Sequence, residues 1–357
     1  MPTAALWLAR AFCVFALARS MSEFAATLRT LVQGEHLEES QAARVIGDIM
    51  DGRSSPVQAA ALLAAMAAKG ETVPEIVGAA RAMRERSLHV EHDLPLVLDV
   101  CGTGGDGANT INISTCVAFV AAAAGVPVAK HGNRAASSNC GSADVLEACG
   151  VAIDVEPAQA SRMLSETQFA FMFAQRYHPA MKNVAPVRRE IGIRTMFNVL
   201  GPLTNPARAT HQVVGVAQES HLRLMAEALR ALGVRAGAVV HASNGMDEIA
   251  GQDATHVYGF NADSVTEWLI KPRDFGVDVP LSQIQGGSVA ANAESFRTIL
   301  RGEPTPAAGV IALNAALALQ IAGKCDDLTT AFRLARGVLS SGKAYELFER
   351  VRRFRPR

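Results

Sequence analysis

Residues 101–115 read CGTGGDGANTINIST, a run rich in glycine, hydroxyl and amide side chains. Glycines let backbone N–H groups approach an anion closely, and a helix starting near Asn112, Ser114 and Thr115 adds its own unpaired N–H groups and dipole. The chemistry on offer is phosphate binding; the alternative is a tight strand-to-helix turn capped by Ser and Thr. Gly102, Gly104 and Gly107 satisfy G-x-G-x-x-G. A dinucleotide-binding unit also needs an acid about 20 positions on. No Asp or Glu lies between Asp106 and Asp144, and no G-x-x-x-x-G-K-[ST] occurs. Nicotinamide and P-loop readings are therefore rejected.

A second segment, KHGNRAASSNCGSAD at 130–144, places Lys130, His131 and Arg134 among small polar residues. With the first loop it makes a long window free of acids and holding two fixed cations, suited to a multiply charged phosphate ligand. A solvated loop would explain the cations but not the Gly, Ser and Asn around them. Residues 245–248 read GMDE. Asp247 and Glu248, placed at the carboxyl side of a sheet strand, could hold Mg²⁺, which takes a few hard oxygen ligands plus substrate phosphates. A plain surface pair is the alternative. No Ser-His-Asp or Cys-His arrangement suggests a protein nucleophile.

The elements that must carry these residues fall into two sets. Residues 22–87 read as four short helices. Phe24, Leu28, Leu31 and Val32 share one face, Ser55-Pro56 offers a cap with Pro at the first helical position, and Thr72 with Glu75 has capping-box spacing. From 94 onward strands alternate with helices. Strands are expected at 94–100, 126–130, 211–217 and 236–241, with an edge strand at 255–260. Helices are expected at 114–124, 142–148 and 222–232, and then at 310–321 and 328–339. This is an α/β pattern with a largely parallel sheet.

The 357 residues suggest about two domains. With 49% hydrophobic and 19% charged residues the chain is not disordered. Lys plus Arg and Asp plus Glu both number 34, which argues against a nucleic-acid coat. The 6 cysteines show no CxxC or metal spacing and fit a reduced, cytoplasmic protein. No apolar run reaches the roughly 18 residues of a membrane span. Residues 1–20 are read as an upstream extension or a misplaced start, the alternative being a processed or membrane-associating leader.

The combination of GTGGD (102–106), NIST (112–115), KHGNR (130–134), GSADVLE (141–147), YHPAMKNVAPVRREIGIRTMFNVLGPLTNPA (177–207) and DE (247–248) resembles the anthranilate phosphoribosyltransferase family of tryptophan biosynthesis. The likeness runs from about residue 22 to 350. Asn139 and Cys140 stand where the family often has Lys and Ser, which leaves the details of one phosphate contact open. The resemblance implies a small all-helical N-terminal domain (22–90) and a larger α/β domain (94–350) with a mostly parallel central sheet. That is the nucleoside phosphorylase/phosphoribosyltransferase type. The segment near 180–205 is expected at the domain junction. It also implies a homodimer acting on anthranilate and 5-phosphoribosyl 1-diphosphate with Mg²⁺, and no nucleic-acid or membrane partner.

Carried over motif by motif, Gly102, Gly105, Asp106, Thr110, Asn112, Ile113, Ser114 and Thr115 would bind the phosphoribosyl diphosphate. So would Lys130, His131, Gly132, Asn133, Arg134, Ala135, Ala136, Ser137, Ser138 and Ser142. Ser114, Asp247 and Glu248 would hold the metal. Gly102, Asn133 and Arg188 would contact anthranilate, with His131, His178 and Pro202 lining its approach. Arg188, Arg189 and Arg194 lie near a helix at 183–193, usually a solvated arrangement; the motif selects Arg188 as a carboxylate clamp and leaves Arg189 at the surface. His131 is the one candidate general base, ordering of its loop being the alternative. A nucleoside phosphorylase and a catalytically idle, nucleic-acid-binding relative are the competing functions.

Overall fold

A computed structural model describes residues 23–135 and 139–355. Ala136, Ser137, Ser138 and the leader at 1–20 lie outside the described residues. In chain order the helices are α1 (23–32), α2 (Glu39–Met50), α3 (Pro56–Lys69), α4 (Val73–Glu85), α5 (Ile113–Ala123), α6 (Ser142–Ala148), α7 (Pro157–Thr167), α8 (Ala174–Tyr177), α9 (Ala185–Ile191), α10 (His221–Ala231), α11 (Val289–Leu300), α12 (Pro306–Ile321), α13 (Leu328–Ser340) and α14 (Lys343–Arg353). The strands are β1 (Leu98–Gly102), β2 (Val128–Gly132), β3 (Phe169–Phe173), β4 (His211–Gly215), β5 (Ala236–Ala242), β6 (Thr255–Phe260) and β7 (Val265–Ile270).

The chain divides into two compact units. The first takes the described residues up to Met83 together with Ala180–Phe197, so α9 belongs to the helical unit. Its helices start where the sequence provides caps. The Ser55 hydroxyl accepts the Gln58 N–H at 3.2 Å, the Gln58 side chain accepts the Ser55 N–H at 2.9 Å, and Pro56 opens α3. Glu75 is fully buried; burial raises its pKa, but donors from Leu37, Lys69 and Thr72 more than offset this and hold it low. The expected α1 face is corrected at one position: Leu31 is buried, whereas Val32 is 72% exposed.

The second unit takes Arg84–Pro179 and Asn198 onward. Its seven-stranded sheet has the order β3-β2-β1-β4-β5-β6-β7, with β1 to β5 parallel and β6 and β7 antiparallel. The chain builds outward from β1 through β2 to β3, then returns to the other side of β1 with β4. In open α/β sheets ligands bind at such a switch point, beyond the carboxyl ends of the strands.

Three strand expectations change. β1 starts at Leu98, four residues later than expected, and runs on to Gly102. β6 is internal, and the edge on that side is the more exposed β7. β3, FAFMF, is not among the expected strands; all five residues are buried at the other edge. Periodicity cannot tell an unalternating apolar run this short from a buried helix segment, and its three phenylalanines are the one strand signal it carries. α5 is apolar all round, packs against α12 and α14, and sets Phe119 against Phe169, Phe296 and Phe348. A helix held on every side fixes the position of its own N-terminus.

Candidate active site

The carboxyl ends of β1 and β4 lie side by side, with Gly102 registered to Gly215. The segment carrying Asp247 packs directly on both. A Cβ at Gly215 would coincide with the Asp247 carbonyl, and one at Gly102 would strike the Asp247 carboxylate. Glycine is required there by backbone approach, not by backbone dihedrals. Gly215→Ala is therefore expected to destabilise the protein by about 1–3 kcal/mol through overpacking. Urea melts would check this; an unchanged midpoint would contradict the packing.

Past Gly102 the loop coils through Gly104, Gly105 and Gly107, all at positive φ. Asp247 Oδ2 accepts the Gly104 N–H at 2.8 Å, and Asp106 Oδ1 accepts the Ala108 N–H at 3.2 Å. Thr110 Oγ1 donates to Glu248 Oε2 at 3.4 Å. The far end of the loop is tied down by Ile111 N–H to Ile284 O (2.9 Å) and by Asn292 Nδ2 to Asn112 Oδ1 (3.1 Å). In the first turn of α5, Ile113 and Thr115 are buried, whereas Asn112 and Ser114 are half-buried.

Asp106, Asp247 and Glu248 bring carboxylate oxygens within 4.8 Å of one another. Burial, then the Asp106 charge, pushes Asp247 up to about 6; burial, then Asp247, pushes Glu248 well above the carboxylate range. Three carboxylates crowded this closely, with Asp247 and Glu248 pushed up, are what a divalent cation relieves, and an all-oxygen set suits a hard one. The residues fit such an ion, and Asp106, assigned from the sequence to the phosphoribosyl ligand, joins the pair there.

The two cations of the second segment are not free. Lys130 is 1% exposed, and its ammonium donates to Val100 O at 2.6 Å and Ser114 Oγ at 3.1 Å. Burial lowers its pKa; Asp99, Glu248 and Asp247 oppose that. Arg134 lies at the surface, gripped by both Glu147 oxygens at 2.6 and 3.0 Å and by Asp144 at 3.0 Å. The window free of acids in sequence is thus bordered by acids of α6 in space. Asp144 also accepts the Ala135 and Gly141 N–H groups at 2.9 Å each, and Ser142 Oγ donates to Asn133 O at 3.3 Å. Gly132 is half-buried beside them and Asn133 is exposed.

His131 and His178 are buried with Nε2 atoms 3.2 Å apart. A carbonyl can only accept, so His131 Nδ1 carries a proton to Gly201 O at 3.1 Å, leaving Nε2 as acceptor for His178. Burial, with Gly201 opposing it and Lys130 reinforcing it, lowers His131 to about 4. Burial, then His131 and His89, lowers His178 to about 2. Both rings are neutral near pH 7. Buried Pro202 sits in a 3-10 turn, its carbonyl accepting from Gln212 Nε2 at 2.8 Å.

Arg188 lies in the other unit, on α9. It is half-buried, 5.8 Å from the Phe197 ring centroid, and burial lowers its pKa. It has no carboxylate partner among the described residues. Arg189 is exposed. Sequence reasoning missed Asp99, which is fully buried beneath Lys130 and pushed up to about 6 by burial, with the Lys130 charge opposing. The available signal was a carboxylate inside an apolar strand, which must find partners.

Residues 94–345 match the glycosyl transferase family a/b domain, and residues 25–87 the helical bundle domain of that family. A curated anthranilate phosphoribosyltransferase of Symbiobacterium thermophilum is 47% identical over 92% of this chain and 97% of its own length. One from Rubrobacter xylanophilus is 49% identical over 90% and 95%. The crystal structure of anthranilate phosphoribosyltransferase from Thermus thermophilus superposes with a TM-score of 0.87 at 45% identity, over 92% of this chain and 98% of that one. The Saccharomyces cerevisiae enzyme in complex with PRPP and Mg shares the fold, with a TM-score of 0.84 at 24% identity over 92% and 96%.

Proposed function

The chain belongs to the anthranilate phosphoribosyltransferase family, and on that premise we propose how its own residues carry the reaction. The enzyme transfers the 5-phosphoribosyl group of 5-phosphoribosyl 1-diphosphate to the amine of anthranilate in L-tryptophan biosynthesis. N-(5-phosphoribosyl)anthranilate and diphosphate are the products. The observation that carries the assignment of roles is the Asp106, Asp247 and Glu248 cluster against the glycine loop at the β1/β4 switch point.

The diphosphate binds along the loop from Gly102 to Thr115, with Gly105, Asp106, Thr110 and the α5 N-terminus at its head. Lys130 to Arg134 and Ser142 close the other side. Lys130 acts from behind, through the Ser114 hydroxyl and its field. For Arg134 to reach a phosphate it would exchange its hydrogen-bonded ion pairs with Glu147 and Asp144, which lie at the surface where such pairs are worth little. Asp247 and Glu248, with Asp106 and Ser114, would hold Mg²⁺; when bound, the ion offsets negative charge growing on the leaving diphosphate.

Anthranilate presents a weakly basic amine with a free lone pair, so orientation matters more than deprotonation. Asn133 and Gly102 offer polar contacts, neutral His131 and His178 with Pro202 line the approach, and Arg188 takes the carboxylate. At a pKa of about 4, His131 is a poor base, and its bond to Gly201 supports an ordering role. We further read the enzyme as a cytoplasmic homodimer. Five described cysteines are free and no described helix is long and apolar enough to cross a membrane. Exposed Val32, Val57 and Ile193 on the helical unit support a second copy docking there.

The test is fluorescence of anthranilate mixed with enzyme, 5-phosphoribosyl 1-diphosphate and Mg²⁺. Fluorescence should fall only when all are present. A steady signal alongside phosphorolysis of a pyrimidine nucleoside would overturn the reading.

A further inference from the structure

A parallel ladder repeats every second residue. Between β1 and β2 it starts regularly: Leu98 pairs with Val128 and its N–H donates to Pro127 O at 2.8 Å. The next rung would join Val100 to Ala129 and His131. Side chains take that rung instead. Ala129 O accepts from Asn205 Nδ2 at 2.7 Å, Val100 O accepts from Lys130 Nζ at 2.6 Å, and His131 N–H donates to Asp99 Oδ1 at 3.2 Å. Asn205 Nδ2 also donates to Asp99 Oδ2 at 2.8 Å, and Asn205 Oδ1 accepts the Ala207 N–H at 2.8 Å.

The break is confined to one seam. β1 keeps register with β4 from Leu98 to Gly102, and β2 with β3 from Val128 to Gly132. Asp99 and Asn205 are 0% and 2% exposed, so their bonds are made away from water, where an unmet group is costly. Asn205 closely follows the turn whose Gly201 carbonyl holds His131, and that turn contains Pro202.

We infer that Asp99 and Asn205 are positioning residues for the transfer, a polar wedge that sets the gap between the carboxyl ends of β1 and β2. The Gly102 loop leaves one side of that gap and the His131 to Asn133 segment the other. On the reading under Proposed function, these carry the ribose diphosphate and anthranilate. The wedge fixes how the amine meets the reacting carbon. It touches neither substrate.

The experiment compares Asp99→Glu, Asp99→Asn and Asn205→Gln with the parent enzyme. Melting temperature, kcat, both KM values and calorimetric binding of 5-phosphoribosyl 1-diphosphate are measured. A displaced reacting group costs far more in rate than in affinity, so kcat should fall about 10–30-fold while both KM values stay within about threefold. Asp99→Glu is decisive, because it keeps the charge facing Lys130 but lengthens the wedge by one methylene. If it turns over like the parent, Asp99 merely balances charge and the inference fails. Equal losses in kcat/KM carried by KM alone, or failure of all three variants to fold, would likewise reduce the network to a structural one. Absence of turnover in the parent enzyme would instead refute the functional reading.

Discussion

Asp247→Ala combined with Glu248→Ala is expected to reduce turnover by at least about 10³-fold, or roughly 4 kcal/mol of barrier. A single preorganised donor facing developing negative charge is commonly worth about 10²–10³ in rate, and this change removes two of the carboxylates that would hold a doubly charged ion. The remaining activity should respond weakly to added Mg²⁺. Folding should not suffer in parallel. Without a cation these carboxylates, Asp247 buried and Glu248 half-buried, crowd each other and Asp106, so removing two relieves repulsion that outweighs the lost Asp247 bond to the Gly104 N–H. In metal-free buffer the variant should melt at or above the parent temperature. Magnesium titration of activity beside calorimetry checks both halves. An unaltered titration curve would remove the pair from the metal site.

Arg188→Ala is expected to lower kcat/KM for anthranilate about 10–150-fold, since a hydrogen bond to a charged group is worth about 1.5–3 kcal/mol. Its guanidinium is half-buried beside Phe197 and has no carboxylate partner among the described residues. A cation partly stripped of water and left unpaired is ready for an anion. Because the carboxylate is present before and during reaction, KM should carry much of the loss. Some should appear in kcat, as the same contact aligns the amine. Arg188→Lys should recover only part, because an ammonium lacks the planar fork. Arg189→Ala is the control and should stay near the parent value. Kinetics with each substrate varied in turn decides; a silent Arg188→Ala beside a damaged Arg189→Ala would reassign the clamp.

The features that could be read from the chain are those written in consecutive residues. The glycine loop from Gly102, the α5 start at Asn112 and the Asp247-Glu248 pair each offer their residue types within a few positions, as the capping residues at Ser55 and Thr72 do for the helices. Features made through space stayed hidden. Arg134 looked like a free cation because its partners, Asp144 and Glu147, begin just beyond the window and return on a helical turn. Lys130 gave no sign of burial, since its partners Val100 and Ser114 belong to another strand and a helix. Asp99 and Asn205 are 106 positions apart. β3 was lost for a different reason: its five apolar residues need neither alternation nor β-branching once both faces are covered.

Asp247 meets Gly104 across 143 positions of chain, and no local segment contains both. Until β4 and β5 have joined β1, the acidic loop has nothing to rest against. A chain emerging from the ribosome therefore cannot make this contact until the segment carrying Asp247 is free. On the proposed roles, ligand capture would report on the joining of β1, β4 and β5. A ligand that binds only the finished state stabilises it by about 2.7 kcal/mol at roughly a hundred times its Kd. A substrate bound there would thus favour the topology that recognises it.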